Sequence, residues 1–206
     1  MRTRIGKVLV TGAAVSAAVT FSATSAFAAT TATTTFSVSP GGSYTAAAGK
    51  TILTDNTTKA ALTCASASAK GVLKKGTHLA GKDIGTITST GFNKCTGPLN
   101  LHFTVKQSGT WDLTITKFST ANGGVATGFI SNVKASLSGT GCQASVAGAT
   151  DATYSNKTGE LSVKPVAKSG HVLTVSGVKG CAGLIKNGNT TSFVGSYTVK
   201  PKQKIT

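Results

Sequence analysis

The sequence predicts an all-β protein, an antiparallel β-sandwich or barrel carrying two disulfides. Three observations predict it. Apolar and polar residues alternate with period two over several short segments. Glycine-containing turn signals recur between those segments. Four cysteines, an even number, follow a start that reads as an export signal.

The alternation is clearest in "LNLHFTVKQ", where Leu99, Leu101, Phe103 and Val105 fall on one face and Asn100, His102, Thr104 and Lys106 on the other. In "WDLTI", Trp111, Leu113 and Ile115 share a face. Phe129, Val133, Ala135 and Leu137 do so in "GFISNVKASL", Leu161 and Val163 in "GELSVKP", and Phe193, Tyr197 and Val199 near the end. Such segments read as strands with one buried face. Pro40-Gly41-Gly42, Ser108-Gly109, Asn122-Gly123-Gly124, Ser138-Gly139, Thr158-Gly159, Ser169-Gly170 and Asn187-Gly188 separate them as turns. Strands 99–107 and 111–117 are expected to form a hairpin through Ser108-Gly109-Thr110. That odd loop sets Val105 opposite Leu113 and keeps the apolar faces together. No long amphipathic helix is expected; "CAGLIKNG" has room for one helical turn.

Arg2, Arg4 and Lys7 precede an uncharged Ala/Val-rich stretch that ends in Ala26-Phe27-Ala28. The small-x-small ending is what a signal peptidase pocket admits, so residues 1–28 read as a secretory signal cut between Ala28 and Ala29. A membrane anchor fits less well, because Ser and Thr interrupt the stretch and Leu, Ile and Phe are sparse. No later segment has the length and apolarity of a transmembrane helix. Residues 29–206 then form a single all-β domain of 178 residues.

Three of the 21 basic residues leave with the signal, and 18 lysines, no arginine and five acids remain, a net charge of about +13. The missing guanidinium fork argues against a nucleic-acid partner. A solvated, self-repelling surface is the plain reading, and attraction to an anionic cell wall or membrane surface the sharper one.

Cys64, Cys95, Cys142 and Cys181 show no C-x-x-C spacing, so disulfides are favoured over a metal site. Four cysteines allow three connectivities. An internal echo selects one. Aligning "GFNKCTGPL" (91–99) with "GVKGCAGLI" (177–185) also brings together "CASASAKG" with "CQASVAGA", and Phe103–Lys106 with Tyr197–Lys200. If these are repeats, about 62–106 and 140–200, each closes its own loop: Cys64 with Cys95 and Cys142 with Cys181. Loops of that length contribute roughly 3.5–4 kcal/mol each in the chain-entropy model.

"FSVSPGGSYTA", "FNKCTGPLNLHFTV", "SGTGCQA", the Tyr-x-Asn-x-Thr-Gly stretch at 154–159, "GCAGLI" and "YTVKPKQKIT" together resemble a group of secreted β-rich actinobacterial proteins. The resemblance runs along essentially the whole chain. It implies secretion and a two-disulfide framework, and no activity.

Catalytic chemistry has little to build on. His78, His102 and His171 lack a carboxylate at motif spacing, and no G-x-S-x-G elbow exists. Asp112 approaches His102 only across the expected hairpin, on a face expected to meet solvent. Asp55, Asp83, Asp151 and Glu160 adjoin turn-like sequence and are expected at the surface, so a glycosidase pair is not expected. "GATDAT" is too sparse for a calcium loop, and no helix follows the Gly-Gly pairs to make a phosphate loop. Trp111 is expected in the core rather than on a sugar platform. The Asn-x-Thr sequons at Asn56, Asn156 and Asn189 are taken as accidental. The expectation is a non-catalytic secreted structural or surface-binding protein without cofactor or metal. The alternative is a carrier of an apolar small molecule, with room left by Ala and Val side chains; a hydrolase built on a serine, His102 and Asp112 ranks below both.

Overall fold

The computed structural model describes residues 34–206. The expected signal segment and the cleavage site at Ala28 and Ala29 lie outside the described residues. The chain folds into β1 (Thr35–Ser39), β2 (Gly42–Ala48), β3 (Thr51–Asp55), β4 (Ala61–Leu73), β5 (Gly76–Ala80), β6 (Gly85–Thr96), β7 (His102–Gln107), β8 (Trp111–Ser119), β9 (Val125–Gly139), β10 (Cys142–Ser155), β11 (Glu160–Val163), β12 (Leu173–Gly180), β13 (Thr190–Lys200) and β14 (Lys204–Ile205).

Three pairs of these strands are interrupted lengths of one strand. β2 and β3 both lie between β4 and β13. β7 and β8 both lie between β6 and β9. β11 and β12 both lie between β10 and β13. With β4–β6 and β9–β10 also paired, eight antiparallel strand positions follow one another in chain order. β13 pairs back onto β2 and β3, so the ladder returns to its start. Opposite sides of this ring face each other across one core, as the sheets of a sandwich do. Every strand position therefore has a neighbour on both sides, although in β6 only Gly85–Ile87 and Cys95–Thr96 are laddered to β8 and β7, and residues 88–94 pair with β4 alone.

Alternation builds the core. Along β2, Tyr44, Ala46 and Ala48 are buried, while Ser43, Thr45 and Ala47 are exposed. Along β13, Tyr197 and Val199 are buried, while Ser196, Thr198 and Lys200 face solvent. Polar side chains outside and apolar ones inside is the reverse of a membrane-spanning barrel. No helix among the described residues is long and apolar enough to cross a membrane. A small sheet, ordered β14-β1-β5, covers the end where β2 begins and buries Phe36, Val38 and Ile205.

Both disulfides join neighbouring strands at the opposite end. Cys64 on β4 stands directly across from Cys95 on β6 and is bonded to it. Cys142 opens β10 and is bonded to Cys181, just past β12. Each bridge ties the second strand position of a half-ring to the third, which is the pairing the repeat selects. One piece of the repeat does not carry over. Phe103 starts its strand at the disulfide end, whereas Tyr197 lies near the far end of β13.

Three strand expectations are corrected. The 99–107/111–117 hairpin does not form: Val105 pairs with Leu137, and β7 and β8 run on as one strand, offset by one residue against β9. The Ser108-Gly109-Thr110 segment is an irregularity inside that strand, because β9 is long enough to pair with both lengths. Leu99 is not buried; it sits in a short 3-10 turn, Pro98–Asn100, and is 82% exposed. Phe129 does not share the inner face with Val133. The β9–β10 register shifts near Gly148, and Ile130 takes the inward place. The helical turn in "CAGLIKNG" is present as a 3-10 turn, Cys181–Gly183.

Candidate functional site

Seven of the buried core residues are alanine, and an eight-stranded ring of this kind is wide enough to need larger side chains to fill it. The shortfall is a cavity of about 80 Å³ at mid-height, with lining residues from all eight strand positions. Its wall is apolar: Leu53, Ile87, Val133, Val146, Leu173 and Phe193 are typical. Thr90 also lines it, and the Thr90 hydroxyl is buried with no hydrogen-bond partner. A second cavity of about 70 Å³ shares Leu161 with the first and reaches the small-sheet end. A third, of about 50 Å³, shares Leu53 and Val146 with it and reaches the disulfide end. The three therefore form a run along the ring. Trp111 lies in this core as expected, with Nε1 donating to the Lys134 carbonyl at 3.3 Å. Burial pushes the Tyr44 and Tyr197 phenols up, so both stay neutral.

The outer face carries a polar cluster that the sequence did not reveal. Between Val163 and Leu173 the chain leaves the ladder and returns, making an excursion against β10. Asp151 on β10 holds this excursion. One carboxylate oxygen accepts from the Val166 N–H and the Ser169 hydroxyl, each at 2.8 Å. The other bonds His171 Nδ1 at 2.6 Å. With the carboxylate ionised, Nδ1 carries the proton and donates it. The His171 ring also stacks on Phe129, at 4.2 Å between centroids, and Phe129 pairs directly across from Asp151. Burial opposes ionisation of Asp151, but the His171, Val166 and Ser169 bonds outweigh it and leave its pKa below the usual carboxylate value.

This cluster contains Ser, His and Asp, yet its wiring is not that of a nucleophilic triad. Ser169 donates to the aspartate, not to histidine, so no imidazole is placed to take its proton. The pair considered from the sequence is further apart still. His102 and Asp112 lie ten residues apart along one extended strand, roughly 30 Å. No group of three or more metal-ligating side chains occurs among the described residues. No protein-family model, no curated protein and no solved structure matches this chain.

Asp55 and Asp151 are corrections to the expected surface placement of acids, at 2% and 6% exposure. Asp55 ends β3 and accepts from the Thr57 and Thr58 N–H groups and from Asn189 Nδ2. Burial raises its pKa, and these bonds outweigh that, for a net depression. All three sequon asparagines have such structural work: Asn56 bonds Thr190 and Ser192, Asn189 bonds Asp55, and Asn156 holds both backbone groups of Ile205. An acid or amide beside a turn and a lone Asn-x-Thr look alike in sequence whether they cap a loop or face water.

The surface is therefore more basic than composition alone suggests. Every one of the 18 lysines in residues 34–206 is exposed. Two of the five acids are withdrawn into hydrogen-bond hubs. No lysine among the described residues pairs with a carboxylate. Lys74, Lys75, Lys157, Lys200, Lys202 and Lys204 gather around the small-sheet end, where Lys202 Nζ reaches the Lys157 carbonyl at 3.3 Å.

Proposed function

We propose that this is an exported, non-catalytic protein that associates with anionic cell-wall polymers through its lysine surface. One observation carries the reading: 18 exposed, unpaired lysines stand against three acids outside the buried hubs. Such a surface attracts polyanions by counterion release and needs no shaped pocket. The paired cysteines and the resemblance to secreted actinobacterial proteins support export. The wiring of the Asp151 cluster supports the non-catalytic part.

The test is co-sedimentation of the purified protein with isolated cell walls over a salt series. Binding should be strong at low salt and fall steadily as salt screens the lysines. Replacing Lys157, Lys200, Lys202 and Lys204 by Glu should weaken it at every salt concentration. Binding that ignores salt, or none at low salt, counts against the proposal. The N-terminus of protein recovered outside the cell should be Ala29.

A further inference from the structure

We propose that the interior of the ring is a binding site for one small molecule, apolar in body and bearing a single hydroxyl or carbonyl group. The site is separate from the lysine surface and does not depend on that reading.

The argument is one of fit. The central cavity, about 80 Å³, is several times what one water needs. A buried water also needs two to four polar partners. This wall offers almost none, because its surface comes from leucine, isoleucine, valine and aromatic carbons. Water is thus a poor occupant, whereas a hydrocarbon body gains contact on every side. The space was not left by a missing element, since all eight strand positions contribute to the wall and β13 pairs back onto β2 and β3. It comes from the small side chains of the core: Ala69 and Ala135 line the cavity where leucine or phenylalanine would fill it. Thr90 sets the polar part. Thr90 lines the same chamber, and its hydroxyl is buried beside it with no partner. One ligand hydroxyl or carbonyl would satisfy it, and a pure hydrocarbon would not.

Toluene and phenol test this, because they match in shape and differ by a methyl against a hydroxyl. Each is titrated into the purified protein, and the methyl signals of Ile87, Val133, Val146 and Leu173 are followed by NMR. Saturable shifts are expected for both. Ala69→Phe should abolish both while leaving the remaining spectrum folded. Ala135→Leu is a smaller filler with the same expected loss, should the first variant not fold. Thr90→Val keeps the shape and removes the hydroxyl; it should lower phenol affinity relative to toluene by about tenfold. Absence of saturable shifts with both probes, or shifts that survive cavity filling, would overturn the site. An unchanged phenol-to-toluene ratio in Thr90→Val would overturn the polar part.

Discussion

Asp151 and His171 meet on the outer face of the ring, with Nδ1 and a carboxylate oxygen 2.6 Å apart, and that contact fastens a nine-residue excursion to the wall it departs from. The excursion interrupts a strand whose two lengths keep the same neighbours. Without an anchor its backbone groups would face water, and the strand would fray from both sides of the gap. His171→Ala should therefore leave the buried carboxylate short of a donor and cost about 2 kcal/mol. A urea denaturation midpoint reads the loss. Faster amide exchange confined to 164–172 separates loop release from global unfolding.

Acid should destabilise the protein through two identified groups. Asp55 and Asp151 both have folded pKa values below the ordinary 3.8. Above that ordinary value both are ionised in either state, and their stabilisation is fully present. As pH falls from there through the depressed folded values, the unfolded chain binds protons first and the stabilisation is lost. The urea midpoint should hold level down to near pH 4 and then drop. Asp55→Asn with Asp151→Asn should start from a lower midpoint and fall less steeply.

The disulfides give a third expectation. Replacing Cys64 and Cys95 together by alanine, or Cys142 and Cys181 together, should each cost roughly 3–4 kcal/mol. Single replacements leave a free thiol and are less clean. Peptide mapping without reduction should recover the 64–95 and 142–181 pairs.

Glycines in the left-handed region should not be equivalent. Gly180 has φ +72, and a Cβ there would collide with the Gly141 carbonyl beside the second disulfide. Gly188 has φ +84 and open space around it. Gly188→Ala should cost about 1 kcal/mol from backbone strain alone. Gly180→Ala should cost more, roughly 2–3 kcal/mol, because Gly141 must also move. Thermal unfolding of the two variants side by side reads the difference.

The parts legible in the sequence were those set by local periodicity. Alternation located Trp111, Leu137, Val163 and Tyr197 in the core, and the echo around Cys95 and Cys181 selected the pairing. What failed depends on partners far along the chain. The hairpin between Val105 and Leu113 looked natural because both segments alternate and glycine lies between them. β9 decides otherwise by pairing with both, and no local pattern announces that. Phe129 was misplaced for a related reason: one register shift exchanges inner and outer faces. The Asp151 hub joins residues 15 to 20 positions apart through a loop excursion, and sequence shows only an acid near a turn.

Closure of the ring is the central claim, and the seam between β13 and β2–β3 is where the last strand meets the first. Long-range backbone NOEs should connect Thr45 with Lys200 and Thr54 with Ser192, while the same β2–β3 residues also show NOEs to β4. Slow amide exchange on both sides of β2–β3 should accompany them. NOEs to β4 alone, with fast exchange along the side facing β13, would mean an open sheet with a free edge and would contradict the account.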